Sequence, residues 1–292
     1  MRMVRRAPTS RDAAELARML EVRLDGTLHE ADRVIQNPKP AAESLHRLHR
    51  ELRRLRVGLD VWTRASTPAR RLDLRSYDRR LRRLARLVGG VRDRDVALDL
   101  LAQGPNDLPS RERAQLRRLR VRLADDARIG RELLRASLRT ERDLGLFEGL
   151  RAGFHRPPSA RRGRALRAYL DEVRDERQEA IRDAHKKARR KPSSRRLHRL
   201  RIRVRNWRHI ADLASVLETA QPVTMARPLR SLQARLGRLH DLDVVEDLTA
   251  KVASPTLSRA IRKERRRQHA SLVRQLRASH WRQMATPPGP KA

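Results

Sequence analysis

The stretch Glu43 to Trp62 reads ESLHRLHRELRRLRVGLDVW, and its spacing decides the fold. Leu45, Leu48, Leu52, Leu55, Leu59 and Trp62 recur every three or four residues, which is the signature of a helix with one apolar side. On the same helix His46, His49, Arg53 and Arg56 stand at i, i+3, i+7 and i+10. At roughly 100° per residue these four fall within an arc of about 80°, away from the leucines. The stretch is therefore expected to pack on one side and to present a ladder of anion-binding groups on the other. A solvated helix face in an arginine-rich chain would look the same, so one copy decides little. A second copy occurs at Arg196 to Leu217, RLHRLRIRVRNWRHIADLASVL, where His198, Arg201, Arg205 and Arg208 repeat the i, i+3, i+7, i+10 pattern 152 positions later.

A second motif follows each ladder. Val88-Gly89-Gly90-Val91-Arg92-Asp93-Arg94-Asp95-Val96 aligns with Leu236-Gly237-Arg238-Leu239-His240-Asp241-Leu242-Asp243-Val244, an offset of 148. Two motifs in the same order at nearly equal offsets point to an internal duplication.

Composition bounds what such a chain can do. It has 292 residues and a formal net charge of +36, and only seven of its 71 basic residues are lysine. Arginine keeps its charge and offers a planar fork of donors that grips phosphate or carboxylate oxygens in pairs. A fold this positive repels itself and is stabilised by a polyanion. The expected partners are a phosphate polymer, nucleic acid or an anionic surface. There is no cysteine, which excludes disulfides and thiolate metal sites. No apolar run reaches membrane-spanning length, and the N-terminus has basic residues without an apolar h-region, so the expected compartment is the cytoplasm.

Read along the chain, every segment has helical period and none has the period of a strand. A helix is expected from Ser10 to about Gln36, with Leu16, Leu20, Leu24 and Leu28 inward. The first ladder helix follows, from about Ala41 to Arg64. A helix from Leu74 is expected to stop or bend at Gly89–Gly90 and to restart at Asp93-Arg94-Asp95. After a loop at Gly104–Pro109, Ser110 opens a helix to about Glu148. Residues 153–160, GFHRPPSA, form the expected linker. Beyond it the order repeats: a helix over about Gly163–Arg190, the second ladder over about Ser194–Glu218, a break at Pro222, a helix interrupted near Gly237 and restarted at Asp241–Asp243, and a last helix from Pro255 to about Met284. The domains expected are 10–152 and 161–285, each a four-helix bundle in an all-α fold, with a disordered tail over 286–292.

The twin His-x-x-(Arg/His)-x-x-x-Arg-x-x-Arg helices, each followed by Gly-x-x-(Arg/His)-Asp-x-Asp, resemble the CHAD family, the conserved-histidine α-helical domain. The resemblance covers about Asp12 to Met284. It implies two four-helix bundles related by a pseudo-two-fold axis, and a basic channel or groove that binds inorganic polyphosphate, often with association with polyphosphate granules. By position it implies phosphate contacts at His46, Arg53, Arg54 and Arg56 and at His198, Arg201, Arg205 and Arg208. Arg92, His49 and His240, in or beside the ladders, complete the candidate set. Two positions depart from the family pattern. His49 stands where its twin is Arg201, and Arg53–Arg54 becomes Arg205–Asn206. The first half is therefore expected to be the more sensitive to pH.

Polyphosphate has no base edges and no rings, so spaced cationic donors on rigid helices are enough to hold it. Binders of single-stranded nucleic acid add aromatic platforms. Here only 2 % of residues are aromatic, and Trp62 and Trp207 fall on the apolar stripes, so nucleic acid is expected as a weaker, sequence-independent partner. Phosphate should favour the charged form of His46, His49, His198 and His240, so binding is expected to be tighter at pH 6 than at pH 8. Asp93, Asp95, Asp241 and Asp243 are read as caps of restarting helices that orient Arg92 or His240. Beside so much arginine they are expected to be firmly ionised; a metal or catalytic carboxylate pair is the competing reading. The remaining histidines, His29, His155, His185, His209, His269 and His280, are read as surface or structural, and Lys263–Arg267 as added basic surface or a plain exposed face. No cofactor, metal or catalytic residue is expected. No Walker loop, His-Glu-x-x-His or nucleophile elbow occurs, nor the Glu-x-Glu-x-Lys strand of the triphosphatase barrels to which relatives of this family are often joined. Non-enzymatic binding of polyphosphate, targeting to or organising granules, is the expected function; a nucleoid-associated nucleic-acid binder and an accessory module for a phosphate-polymer enzyme are the alternatives.

Overall fold

The structure, a computed structural model, describes residues 10–103, 109–155, 160–217, 227–250 and 254–278. The expected loop residues 104–108, the middle of the expected linker (156–159), Pro222, His280 and the 286–292 tail lie outside the described residues. Among the described residues all regular structure is α-helical: α1 Ser10–Gln36, α2 Ala42–Ala65, α3 Pro68–Ala102, α4 Ser110–Asp143, α5 Leu146–Phe154, α6 Ala160–Arg190, α7 Ser194–Leu217, α8 Arg227–Thr249 and α9 Pro255–Ala278. None is long and apolar enough to cross a membrane.

The leucine stripes are the core. In α2 the five leucines of the opening stretch are fully buried and Trp62 is 1 % exposed. α1 packs on α2 and on α5. It buries Leu16, Leu20 and Leu24, and the stripe then passes to Thr27, Ala31 and Val34, leaving Leu28 only partly buried. Trp62 meets the edge of Phe154 at 6.1 Å and its Nε1 donates to the Gly153 carbonyl at 3.2 Å, so the indole polar atom is satisfied inside the core.

Three expected helix ends differ from what is found. α3 runs unbroken through Gly89–Gly90. Leu74, Leu81, Leu84, Val88 and Val91 are all buried at helical spacing on both sides of the glycines, and that burial outweighs about 1 kcal/mol of lost propensity per glycine. α8 likewise runs through Gly237, carried by Leu229, Leu232, Leu236, Leu239, Leu242 and Val245. Conversely, the helix from Ser110 ends at Asp143, because Gly145 takes φ 65° and its N–H donates back to the Arg142 carbonyl at 2.8 Å. α5 then starts afresh and buries Leu146, Phe147, Leu150 and Phe154.

Two compact units result. The first comprises Met1–Val88, Leu134–Arg177 and Arg208–Thr224; the second comprises Gly89–Leu133, Gln178–Trp207 and Met225–Ala292. They are not the two sequence halves: α3, α4, α6 and α7 each contribute residues to both, and positions 153–160 fall inside one segment of the first unit. In the second unit α8 packs on α9. Ala97, Leu101, Leu119, Leu123, Val245 and Leu257 close a core drawn from α3, α4, α8 and α9. Ser254 caps α9 by accepting from the Leu257 N–H at 3.1 Å and also donates to Glu112 at 3.1 Å, tying the start of α9 to α4.

Candidate anion-binding site

In the first unit the α2 ladder is only partly open. His46 is exposed, Arg53, Arg54 and Arg56 are half-buried, and His49 is buried at 4 % exposure. His49 faces inward because it follows Leu48 and sits three residues before Leu52, at the edge of the leucine stripe. Arg54 already has anionic partners, Glu51 at 3.0 Å and Asp212 of α7 at 3.8 Å. Arg56 donates to Asp78 of α3 at 2.9 Å, and Arg82 shares that carboxylate at 3.1 Å. Arg23 of α1 joins this group. Burial, then the Arg54 charge, lowers its guanidinium pKa, and Glu51 and Asp212 oppose the shift. Nothing in the spacing of α1 marks Arg23, because its neighbours Glu51 and Asp212 lie on other helices. Arg208, the last rung of the second ladder, also belongs to the first unit.

The rest of that ladder lies in the second unit, where more of the candidates converge. His198 of α7 and His240 of α8 stand with ring centroids 5.5 Å apart and planes tilted by 52°. Arg201 and Arg205, one and two turns along α7, act on both imidazoles, and so does the Asp243 carboxylate. Arg201 is half-buried, and burial lowers its pKa. Asp241 and Asp93 hold its charge in place, while Arg92 opposes it. The two copies of the Gly-basic-Asp-x-Asp motif therefore meet at one arginine, α3 supplying Arg92 and Asp93 and α8 supplying Asp241.

These aspartates do not cap restarting helices, because α3 and α8 do not break. They serve as counterions. The second aspartate of each motif makes an equivalent contact with the next helix: Asp95 pairs with Arg131 of α4, and Asp243 accepts from Arg265 of α9 at 2.6 Å. Burial raises the pKa of Asp95 and of Asp241 and outweighs the neighbouring guanidinium groups.

Arg265 also reaches the Ser194 hydroxyl at 2.7 Å, which fixes the start of α7, and burial followed by the Arg265 charge lowers the pKa of His269. Arg265 lies within the Lys263–Arg267 run, and His269 is among the histidines read from sequence as surface or structural; their place beside Asp243 follows from α9 packing on α8. Arg131 carried no sequence signal. Of the other histidines, His185 and His209 are buried, whereas His29 and His155 are exposed, His155 standing 3.4 Å from Glu21. No group of three or more His, Asp or Glu side chains able to hold a metal occurs among the described residues.

Both clusters set guanidinium donors on rigid helices, joined in the second by the His198 and His240 imidazoles, an arrangement suited to holding phosphate oxygens. No curated protein matches the chain. A crystal structure of the CHAD domain from the plant Ricinus communis superposes with a TM-score of 0.62 over 96 % of this chain and 96 % of that one, at 17 % identity, a likeness of fold. The family model of the CHAD domain matches residues 18–250, most of the chain including both ladders and both aspartate motifs, and the chain belongs to the CHAD family.

Proposed function

We propose that this protein binds inorganic polyphosphate without chemically altering it. The observation that carries this reading is the convergence of His198, His240, Arg201 and Arg205 from two helices of one unit, in a chain of net charge +36. The CHAD resemblance supports the same ligand and a cytoplasmic place on polyphosphate granules. Trp62 and Trp207, at 1 % and 8 % exposure, are unavailable for base stacking, which favours a polymer without bases over single-stranded nucleic acid. Duplex DNA would bind as a competing polyanion through its phosphates, with a steep dependence on salt.

The test is a titration of polyphosphate of defined length, duplex DNA and RNA against the wild type and an Arg53→Glu/Arg205→Glu variant. Tightest binding of polyphosphate, lost in a variant that keeps its helical circular dichroism, is the expected result. Displacement of polyphosphate by DNA at equal phosphate concentration overturns it in favour of a nucleic-acid binder. Orthophosphate released by the pure protein, and abolished by His198→Ala, overturns the non-catalytic part.

A further inference from the structure

The second-unit site balances its permanent charges and leaves its adjustable charge in histidine. Arg201 has Asp93 and Asp241 as counterions, with Arg92 beside them. Arg265 has Asp243 at 2.6 Å and Glu246 at 3.3 Å. The His198 and His240 ring centroids stand 5.5 Å apart. The charged groups acting on the pair are Arg201 and Arg205 from α7 and Asp243 from α8, and Asp243 is in turn held by Arg265 and faced by His269 from α9. α3 contributes Arg92 and Asp93 through Arg201.

We infer that the His198–His240 pair makes this a proton-linked anion site, in which a bound phosphate polymer and protons enter together. The inference rests on the polyphosphate reading and specifies how that site is regulated. In the ligand-free protein, burial first, then the Arg201 and His198 groups, hold His240 down to about 4. Burial, then Arg201 and Arg205, also lowers His198. After burial, part of both shifts comes from the Arg201 and Arg205 guanidinium groups beside the rings. A phosphate chain laid along Arg201 and Arg205 adds negative charge beside both rings, opposes the guanidinium part of the shift and recruits protons to them. Each imidazolium then donates from both ring nitrogens, so the added charge also adds hydrogen bonds to phosphate. Acidification consequently strengthens binding, and binding buffers the local pH.

The experiment is calorimetric titration of the full chain with polyphosphate of defined length at pH 6.5, in buffers of different ionisation enthalpy. If the polymer returns both rings to their ordinary value, each is about half protonated at that pH; His240 then takes up about half a proton per site filled, and His198 adds to it. The expected result is a binding heat that varies linearly with buffer enthalpy, with a slope of that size. His240→Gln and His198→Gln, each checked for retained helical signal, should each reduce the slope, His240→Gln by about half a proton per site. Should His240→Gln fail to fold, the exposed His198 position carries the test alone. Binding with heat independent of buffer, or a full slope in the folded variants, overturns the proton linkage and leaves the polyphosphate reading standing. Failure of polyphosphate to bind in any buffer overturns both.

Discussion

Arg265 on α9 donates through Nε to the Asp243 carboxylate of α8 at 2.6 Å, and so couples the packing of two helices to the charge felt by His240. Both side chains are about a quarter exposed, 25 % and 27 %, so water screens the pair. Arg265→Met should therefore lower stability by only about 0.5–1 kcal/mol, a few degrees or less in Tm. Its larger effect should be on His240: with Arg265 gone, Asp243 acts on the imidazole less opposed, and the His240 pKa read by NMR should rise. An unchanged or lower value would show that Asp243 does not tune the site.

Stability of the ligand-free protein should fall on acidification. His240, His198, His185 and His269 all have native pKa values below the ordinary 6.5, with His240 at about 4. The unfolded chain then binds more protons than the native one between those limits, so stability is full above about 6.5 and is lost as pH falls toward 4. Asp95 and Asp241 have the opposite sign: their raised values favour the native state below 3.8, and that contribution is gone once pH passes through them. Thermal melts from pH 7.5 to 5 should show a falling Tm, with a shallower slope in His240→Gln. Saturating polyphosphate should flatten the dependence. A Tm that rises toward pH 5 without ligand would contradict the native histidine shifts.

Gly58 is a place where helix propensity misleads. In an exposed helix Gly→Ala gains up to about 1 kcal/mol. A Cβ at Gly58 would instead come 2.3 Å from Leu20 Cδ2, with Leu213 Cδ2 at 3.8 Å, and Leu20 is fully buried where α1 crosses α2. Gly58→Ala should destabilise by about 1–3 kcal/mol by overpacking. The Gly58→Ala/Leu20→Ala double variant should be less unstable than the sum of the singles, as measured by urea denaturation.

Gly145 and Gly237 should respond to alanine with opposite signs. A Cβ at either meets nothing within 4 Å, so packing does not decide the matter. Gly145 has φ 65°, and alanine there should cost about 1 kcal/mol of backbone strain and loosen the α4–α5 junction. Gly237 sits within continuous α8 without a positive φ, so alanine should add roughly 0.5–1 kcal/mol. Equal effects of the two substitutions on the denaturation midpoint would contradict this assignment.

Much of the architecture was legible in local spacing. The stripe from Leu45 to Trp62 is buried as its period required, and α9 opens at Pro255 as expected. A stripe of period 3.6 states which face of a helix avoids water, whatever it packs against. The breaks were less legible. Gly89–Gly90 and Gly237 weaken a helix by propensity, yet apolar residues on both sides hold it intact, whereas Gly145, inside a strongly periodic segment, ends one.

By itself, then, the sequence determined an all-helical chain, its buried leucine faces, its two ladders and its duplicated aspartate motifs, because each is a pattern of neighbours along one helix. Only the tertiary structure decided which charges meet. It buried His49, placed Arg208 in a different unit from Arg201 and Arg205, and brought Asp93 and Asp241, 148 positions apart, to the same guanidinium. In a chain of 71 basic residues nearly every helix offers an arginine face. Which of those arginines acquire counterions depends on the helices packed beside them, and Coulomb interactions follow distance in space rather than separation in sequence.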